Sequence, residues 1–284
     1  MPTQAPSRPA LLLRLLLATS LLAGCAQDPA ARTASPPSGP SAMTPYLGAG
    51  RPDGLLVLPP PPAPASPAQR LDEIVFTHSR ALRERDPQRW ALARNDAQLD
   101  FDHLMADFAC ALQVRLDRNS APTLYRLLAR LALDSRPETD AVKDHYDRRR
   151  PYIGNDAPIC IARGTSLDAT ASYPSGHTTI GWTLALLLTE LAPDRAGEIL
   201  ARGRAFGESR IVCGVHWLSD VQAGTLNGAT LVAAVHSSPG FRADMLQAGR
   251  EIAAARRDPR PADPAMCAAE ADAERHSPLF ALQP

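Results

Sequence analysis

The sequence predicts an all-α fold, a single-domain helical bundle. Apolar residues recur at helical spacing in several segments, whereas the strict alternation of a half-buried strand is scarce. Aromatic residues make up only 5% of the chain while alanine and leucine abound, a composition that favours helices over a β-sandwich. The chain has 284 residues, 45% of them hydrophobic, which is enough for a sizeable core.

The first 25 residues have the layout of a secretory signal, with Arg8 before an apolar centre and small residues before Cys25. The ending "LLAGC" resembles the lipobox of bacterial lipoproteins, which implies acylation of Cys25; ordinary cleavage near Ala26 is the alternative. The residue after the cysteine is Ala26 and not Asp, which in bacterial lipoproteins indicates sorting to the outer membrane. We therefore expect a periplasmic protein that meets the membrane only through an N-terminal lipid anchor.

Residues 26–45 are rich in Pro, Ala, Ser and Thr, and are typical of a flexible tether. The folded domain is predicted over 46–257, followed by a tail over 258–284 that packs on or flanks it. The first clear helix begins where Ser66 can cap, Pro67 suits the first helical position and Gln69 can close a capping box.

Further helices follow in order along the chain. The segments "DAQLDFDHLMADFACALQV" and "APTLYRLLARLALD" each carry an apolar stripe. The segment "HTTIGWTLALLLTELAP" is apolar nearly all round, which predicts a central buried helix. Two more helices, from about Asp194 to Arg210 and from about His216 to His236, complete the predicted core.

Charge and cysteine content narrow the classes of partner. The formal net charge is zero, which gives no electrostatic reason to expect binding to nucleic acid or to an anionic membrane surface.

Four cysteines besides Cys25 form an even set, so export would favour two disulfides, with Cys160–Cys213 the preferred pair. Four buried free thiols are the alternative, and a homo-oligomer stays open. The four cysteines are Cys110, Cys160, Cys213 and Cys267.

Three clusters of polar residues stand out against the helical background: "KDHYDRRRP", "YPSGHTT" and "SRIVCGVHWLSD". Each has a bland interpretation, respectively a solvated helix end, a capping turn and a surface ion pair. Together they supply cations for anionic oxygens, a hydroxyl and backbone N–H groups at a helix start, two imidazoles and a carboxylate. This inventory suits a phosphate site with an acid, a nucleophile and an orienting group. The residues are Lys143, Arg150, Ser175, Gly176, His177, Arg210, His216 and Asp220.

The spacing of these clusters resembles the phosphatidic acid phosphatase type 2 (PAP2) superfamily, whose signature is KX6RP, PSGH and SRX5HX3D. Every fixed position is met, from Lys143 to Pro151, from Pro174 to His177 and from Ser209 to Asp220. Within that superfamily, the sequence from about Tyr46 to Gly240 is most similar to bacterial class A non-specific acid phosphatases. The resemblance implies hydrolysis of small-molecule phosphate monoesters.

The resemblance also implies roles for individual residues. His216 would be the nucleophile that forms a phosphohistidine, Asp220 would hold its other ring nitrogen, and His177 would be the general acid. The phosphate-binding groups would be Lys143, Arg150, Arg210, Ser175 and the backbone N–H of Gly176.

Elementary electrostatics agree with these roles. If Gly214 ends one helix and His216 begins the next, His216 and Asp220 share a helical face. Three nearby cations should lower the pKa of His216, and bound phosphate should keep His177 protonated, which predicts an acidic optimum. Three basic side chains beside one Asp would repel a divalent ion, so we expect neither a metal nor another cofactor.

Three other functions compete with this interpretation. A lipid or pyrophosphate phosphatase of the same superfamily is the first, although members that act within the bilayer have several membrane helices and none is visible here. A vanadium haloperoxidase shares the phosphate-site pattern but is generally larger. A catalytically silent phosphate-binding lipoprotein would not need His216, Asp220 and His177.

Overall fold

A bundle of α-helices makes up the described part of the chain. The computed structural model describes residues 43–164, 166–277 and 279, so the predicted signal, Cys25 and most of the predicted tether lie outside the described residues. The described part contains no strand, and the all-α prediction is confirmed. Its α-helices are α1 Gly54–Val57, α2 Pro67–Arg80, α3 Leu82–Arg85, α4 Pro87–Asn95, α5 Phe101–Asp107, α6 Ala109–Leu112, α7 Pro122–Tyr146, α8 Gly176–Leu191, α9 Ala196–Val212, α10 Leu218–Val235, α11 Pro239–Ala255 and α12 Pro264–Arg275.

Helix α8 is the central buried helix, as its apolar sequence predicts, and it packs against both α9 and α10. Two glycines of α10 allow this close approach. A Cβ at Gly224 would lie 2.6 Å from the carbonyl oxygen of Ser175, and one at Gly228 would lie 2.7 Å from that of Thr179. The start of α10 is therefore held directly against the start of α8, where two of the predicted site segments meet.

Three details of the predicted helices differ from the structure. The segment over 96–114 is not one helix, because Asp100 caps a new helix by accepting from His103 N–H and the chain bends again at Phe108. Ser66 caps α2 as predicted, but Gln69 bonds to Glu73 and Arg148 instead of closing a capping box. The predicted helix from His216 begins only at Leu218.

Two disulfides hold the periphery to the core, and the alternative of four free thiols is wrong. The Cys160–Cys213 pair is confirmed, with a Cα–Cα distance of 4.6 Å. The second disulfide, Cys110–Cys267, joins α6 to α12. Helix α12, inside the predicted tail, also packs against α9 and α4. No helix in the described ranges has the length and apolar character needed to span a membrane.

Candidate active site

The segment between α9 and α10 carries the central imidazole. Helix α9 ends in a Schellman motif, in which Gly214 N–H bonds to Ile211 O at 2.9 Å and Val215 N–H bonds to Arg210 O at 3.2 Å. Gly214 has a φ of +81°, and a side chain there would also collide with the guanidinium of Arg80. This tight reversal places His216 between two helices, with only 2% of its surface exposed.

Asp220 approaches His216 across the start of α10. Its Oδ2 accepts from Trp217 N–H at 2.9 Å and lies 3.3 Å from His216 Nδ1. The expectation that both residues share a helical face is wrong, because His216 precedes the helix and Asp220 is its third residue. The contact exists because the carboxylate folds back over the N-terminus, as capping carboxylates do.

The neighbours of His216 define which nitrogen carries its proton. Arg150 Nη1 lies 3.1 Å from His216 Nε2, and a guanidinium can only donate. Nε2 therefore presents its lone pair, and the proton of the neutral ring sits on Nδ1, facing Asp220. Burial lowers the pKa of His216 well below its usual value, with Arg150, Lys143 and then Arg210 adding to the effect. The expected direction is correct, but burial is the largest cause.

His177 is the second residue of α8. Ser175 caps this helix by accepting from Thr178 N–H at 3.3 Å. His177 Nε2 lies 3.1 Å from the carbonyl oxygen of Ala97, which can only accept, so Nε2 donates and Nδ1 is the nitrogen left to exchange a proton. Burial and then Arg210 lower the pKa of His177 well below its usual value. A bound anion is therefore needed to keep this ring protonated.

The three predicted phosphate-binding cations differ in how far the protein already satisfies them. Every nitrogen of Arg150 donates within the protein, to carbonyls such as Leu167 O at 3.0 Å and to His216. Lys143 Nζ bonds to Ala171 O at 2.6 Å, and burial lowers its pKa to about 8.

Arg210 is the cation whose donors are not satisfied. Arg210 is only 1% exposed, and its Nε and Nη1 have no hydrogen-bond partner among the described residues. A buried polar group left unpaired costs about 1–3 kcal/mol, so these donors are suited to the anionic oxygen of a ligand. Burial lowers the pKa of Arg210 to about 10, so it remains cationic at neutral pH.

The structure brings the eight predicted residues into one site. The positive charge of Arg210 lowers the pKa of both imidazoles, and that of Lys143 lowers the pKa of His216. The carboxylate of Asp220 in turn raises the pKa of Lys143. A backbone hydrogen bond of 3.0 Å from Ser175 N–H to Asp220 O joins the starts of α8 and α10. Within the described ranges, no group of three or more His, Cys, Asp or Glu side chains is placed to hold a metal ion.

Comparison with known proteins agrees with this arrangement. The PAP2 superfamily pattern matches residues 123–244, which include all eight predicted residues of the site. An acid phosphatase of Zymomonas mobilis is 43% identical over 222 residues, covering 78% of this chain and 83% of the relative. The chain belongs to the acid phosphatase family of the PAP2 superfamily. Non-specific acid phosphatases of Providencia stuartii and Salmonella typhimurium are 35% and 33% identical, over 71% and 69% of this chain and 81% and 78% of their own lengths.

Sequence reasoning missed two residues of this PAP2 site, Arg148 and Asp72. Arg148 Nη1 donates to Asp220 Oδ1 at 2.6 Å, and its Nη2 donates to Asp72 Oδ2 at 2.8 Å. Asp72, on α2, also accepts from the N–H and hydroxyl of Ser219, at 2.9 and 2.6 Å. Burial raises the pKa of Asp220, and Arg148 opposes that rise. The arginine run gave a weak signal for Arg148, whereas nothing in the sequence distinguished Asp72.

Proposed function

We propose that the chain is an exported acid phosphatase that hydrolyses phosphate monoesters of broad specificity through a phosphohistidine. The observation that carries this proposal is the unsatisfied Arg210, whose positive charge lowers the pKa of both imidazoles, His177 and His216. A simple anion-binding site would need the arginine but neither a nucleophilic lone pair on His216 nor the carboxylate of Asp220 behind it.

In the first step, His216 Nε2 attacks phosphorus while the bond from phosphorus to the leaving oxygen breaks. His177 donates its proton to that oxygen, so an alcohol leaves instead of an alkoxide. Asp220 stabilises the positive charge that develops on the phosphorylated ring, because it accepts from Nδ1–H. Arg150 must release Nε2 before attack, and its Nη1 is then free to bind a phosphate oxygen.

In the second step, water attacks phosphorus and the bond to His216 Nε2 breaks. His177, now neutral, accepts the proton of that water. Inorganic phosphate leaves, and both imidazoles return to their starting protonation states. The three cations stabilise negative charge on the transferred group in both steps.

Metal independence is part of the proposal. Three basic side chains would supply the electrostatic stabilisation that metal cations supply in a metal-dependent phosphatase. Activity should persist in EDTA, and vanadate should inhibit it because its trigonal bipyramidal form would fit the cationic site. Loss of activity on chelation, restored by added zinc or magnesium, would contradict this part of the mechanism.

The decisive experiment combines turnover with trapping of the intermediate. Wild-type protein should release phosphate from a chromogenic monoester and yield phosphohistidine after rapid quenching. His216→Ala should do neither, because no covalent intermediate can form without the imidazole. Phosphate trapped on another residue, or appreciable activity in His216→Ala, would overturn the assignment. Binding of inorganic phosphate without any turnover would instead favour the silent phosphate-binding lipoprotein.

Export and anchoring form a separate part of the proposal, and rest on the N-terminal sequence. The wild-type protein should sediment with a membrane fraction from the bacterial envelope, and Cys25→Ser should release it. A wild-type protein found wholly in the soluble periplasmic fraction would favour ordinary signal cleavage near Ala26.

A further inference from the structure

A cavity of about 400 Å³ opens directly beside the phosphate site. Its wall includes Lys143 and Gly176, so the two spaces are continuous. The volume lies within the range of sites that bind small organic molecules. The mechanism above uses only the phosphoryl group of a substrate, and so assigns no role to this cavity.

The wall of the cavity is largely apolar on its inner side, with Leu99, Phe101, Ala132 and Ile180 contributing. One face of α7 forms part of this wall, because Ala132, Arg136, Asp140 and Lys143 recur at helical spacing. That face runs from the apolar end of the cavity to the cation that borders the phosphate site.

His177 follows Gly176, which lines the cavity, at the start of α8. Ile180 follows it by nearly one turn on α8, and Leu99 lies two residues beyond Ala97, whose carbonyl holds His177 Nε2. The leaving oxygen of a substrate must approach His177 to receive its proton. An organic group that extends from that oxygen past Gly176 would enter the cavity.

The mouth of the cavity carries no net charge. Arg136 and Asp140 both line it and form an ion pair at 3.5 Å, with side chains 85% and 54% exposed. A second phosphate or carboxylate on the substrate would therefore find no uncompensated cation there. Binding of an uncharged apolar group would remove both its own surface and the apolar wall from water, which is favourable.

We infer that this cavity is a leaving-group subsite that, within a broad specificity, favours phosphate monoesters of uncharged aromatic alcohols. The inference deepens the proposed function and rests on it for turnover. The aromatic ring packs against Leu99, Phe101 and Ile180 while the bridging oxygen faces His177. Aliphatic esters too small to reach these side chains react at the same phosphate site without this contribution.

The first test compares 2-naphthyl, phenyl and ethyl phosphate. Naphthol and phenol have similar acidity, so their ratio of kcat/KM reports contacts of the leaving group more than its chemistry. For the wild type, kcat/KM should be about 10-fold higher for the naphthyl ester than for the phenyl ester, the size of effect that a small change of apolar contact produces. Leu99→Ser should remove most of this preference and leave ethyl phosphate unchanged. The matched control, Leu133→Ser, alters a leucine of α7 that is 42% exposed and outside the cavity.

A second variant fills the cavity instead of making its wall polar. Ala132→Phe should lower kcat/KM for the naphthyl ester by about 10-fold and spare ethyl phosphate, because the added ring occupies the leaving-group space. A naphthyl preference that survives both variants, or an equal loss for all three esters, would overturn the inference.

Binding without turnover separates this inference from the proposed function. Calorimetry should show that the wild type binds naphthylmethylphosphonate more tightly than methylphosphonate, and that Leu99→Ser abolishes the difference. This difference without any ester hydrolysis would sustain the cavity assignment and contradict the phosphatase. Hydrolysis of all three esters without a difference in affinity between the two phosphonates would support the phosphatase and contradict the cavity assignment.

Discussion

Replacement of Arg148 by methionine should damage both the stability and the chemistry of the site. The guanidinium lies between Asp220 and Asp72, whose side chains are 0% and 2% exposed, at distances of 2.6 and 2.8 Å. Removing one partner of a buried ion pair costs about 3–5 kcal/mol, because the other charge stays buried without compensation. For a domain of this size, each kcal/mol lowers Tm by roughly 2–4 °C, so Tm should fall by about 6–20 °C.

The catalytic effect follows from the protonation of Asp220. Burial already raises the pKa of this carboxyl and Arg148 opposes the rise, so the variant should raise the pKa further. A protonated Asp220 stabilises the phosphorylated His216 less well. Loss of a residue that orients a reacting group costs roughly 10–100-fold, and this loss should appear in kcat more than in KM. Because Asp220 must ionise, the activity optimum of the variant should move to higher pH.

The assay is a pH profile of kcat for a chromogenic monoester, measured with Tm on the same samples. Arg149→Met is the matched control, since this neighbouring arginine is exposed and should change neither quantity. Arg148→Met combined with Asp72→Asn removes one of the two uncompensated charges and should recover part of the lost Tm. If Arg148→Met keeps the wild-type kcat and optimum, Asp220 does not depend on Arg148 and the reasoning fails.

Three further predictions concern proton transfer and stability. His177→Ala should lower kcat by about 10²–10⁴-fold for an alkyl phosphate and much less for an activated aryl phosphate, whose phenolate leaves without a proton; equal losses for both esters would exclude a general acid. Wild-type kcat/KM should already fall as pH rises toward neutrality, because burial holds the pKa of His177 in the free enzyme well below its usual value, and a profile that rises instead would reverse this assignment. Thermal unfolding should show a lower Tm at about pH 8 than at pH 6.5, since burial raises the folded-state pKa of Asp107 to about 7 and of Glu270 to about 8. The stability from these neutral carboxyls is present at low pH and is lost as pH rises through those values, whereas a Tm that increases over this range would contradict it.

Much of the fold and of the site follows from local sequence. The apolar segment of α8 predicts its burial, Ser66 and Pro67 predict the start of α2, and Gly214 predicts the end of α9, because each depends on periodicity or on the conformation of one turn. The spacings of the three signature motifs also predict that Lys143 and His216 share one site.

The parts that sequence reasoning missed depend on contacts between distant segments. The break between α5 and α6 occurs inside an apolar stripe that continues across it, so periodicity gave no warning. Asp72 reaches the site only because α2 packs beside α10, a contact between distant segments that local periodicity does not specify. The unsatisfied donors of Arg210 emerge only once every neighbouring acceptor has been placed. Local patterns describe turns and stripes, but not which buried group lacks a partner.

The hydrogen bond from Ser175 N–H to Asp220 O makes activity an indicator of global folding. It joins the starts of α8 and α10, while other site groups come from α2, from the end of α7 and the segment that follows it, and from the end of α9. The site therefore forms only when these separate helices have packed against one another. In denaturant, loss of hydrolysis should coincide with loss of helical signal when the disulfides stay intact. A simple colour reaction could thus monitor the tertiary structure of the entire bundle.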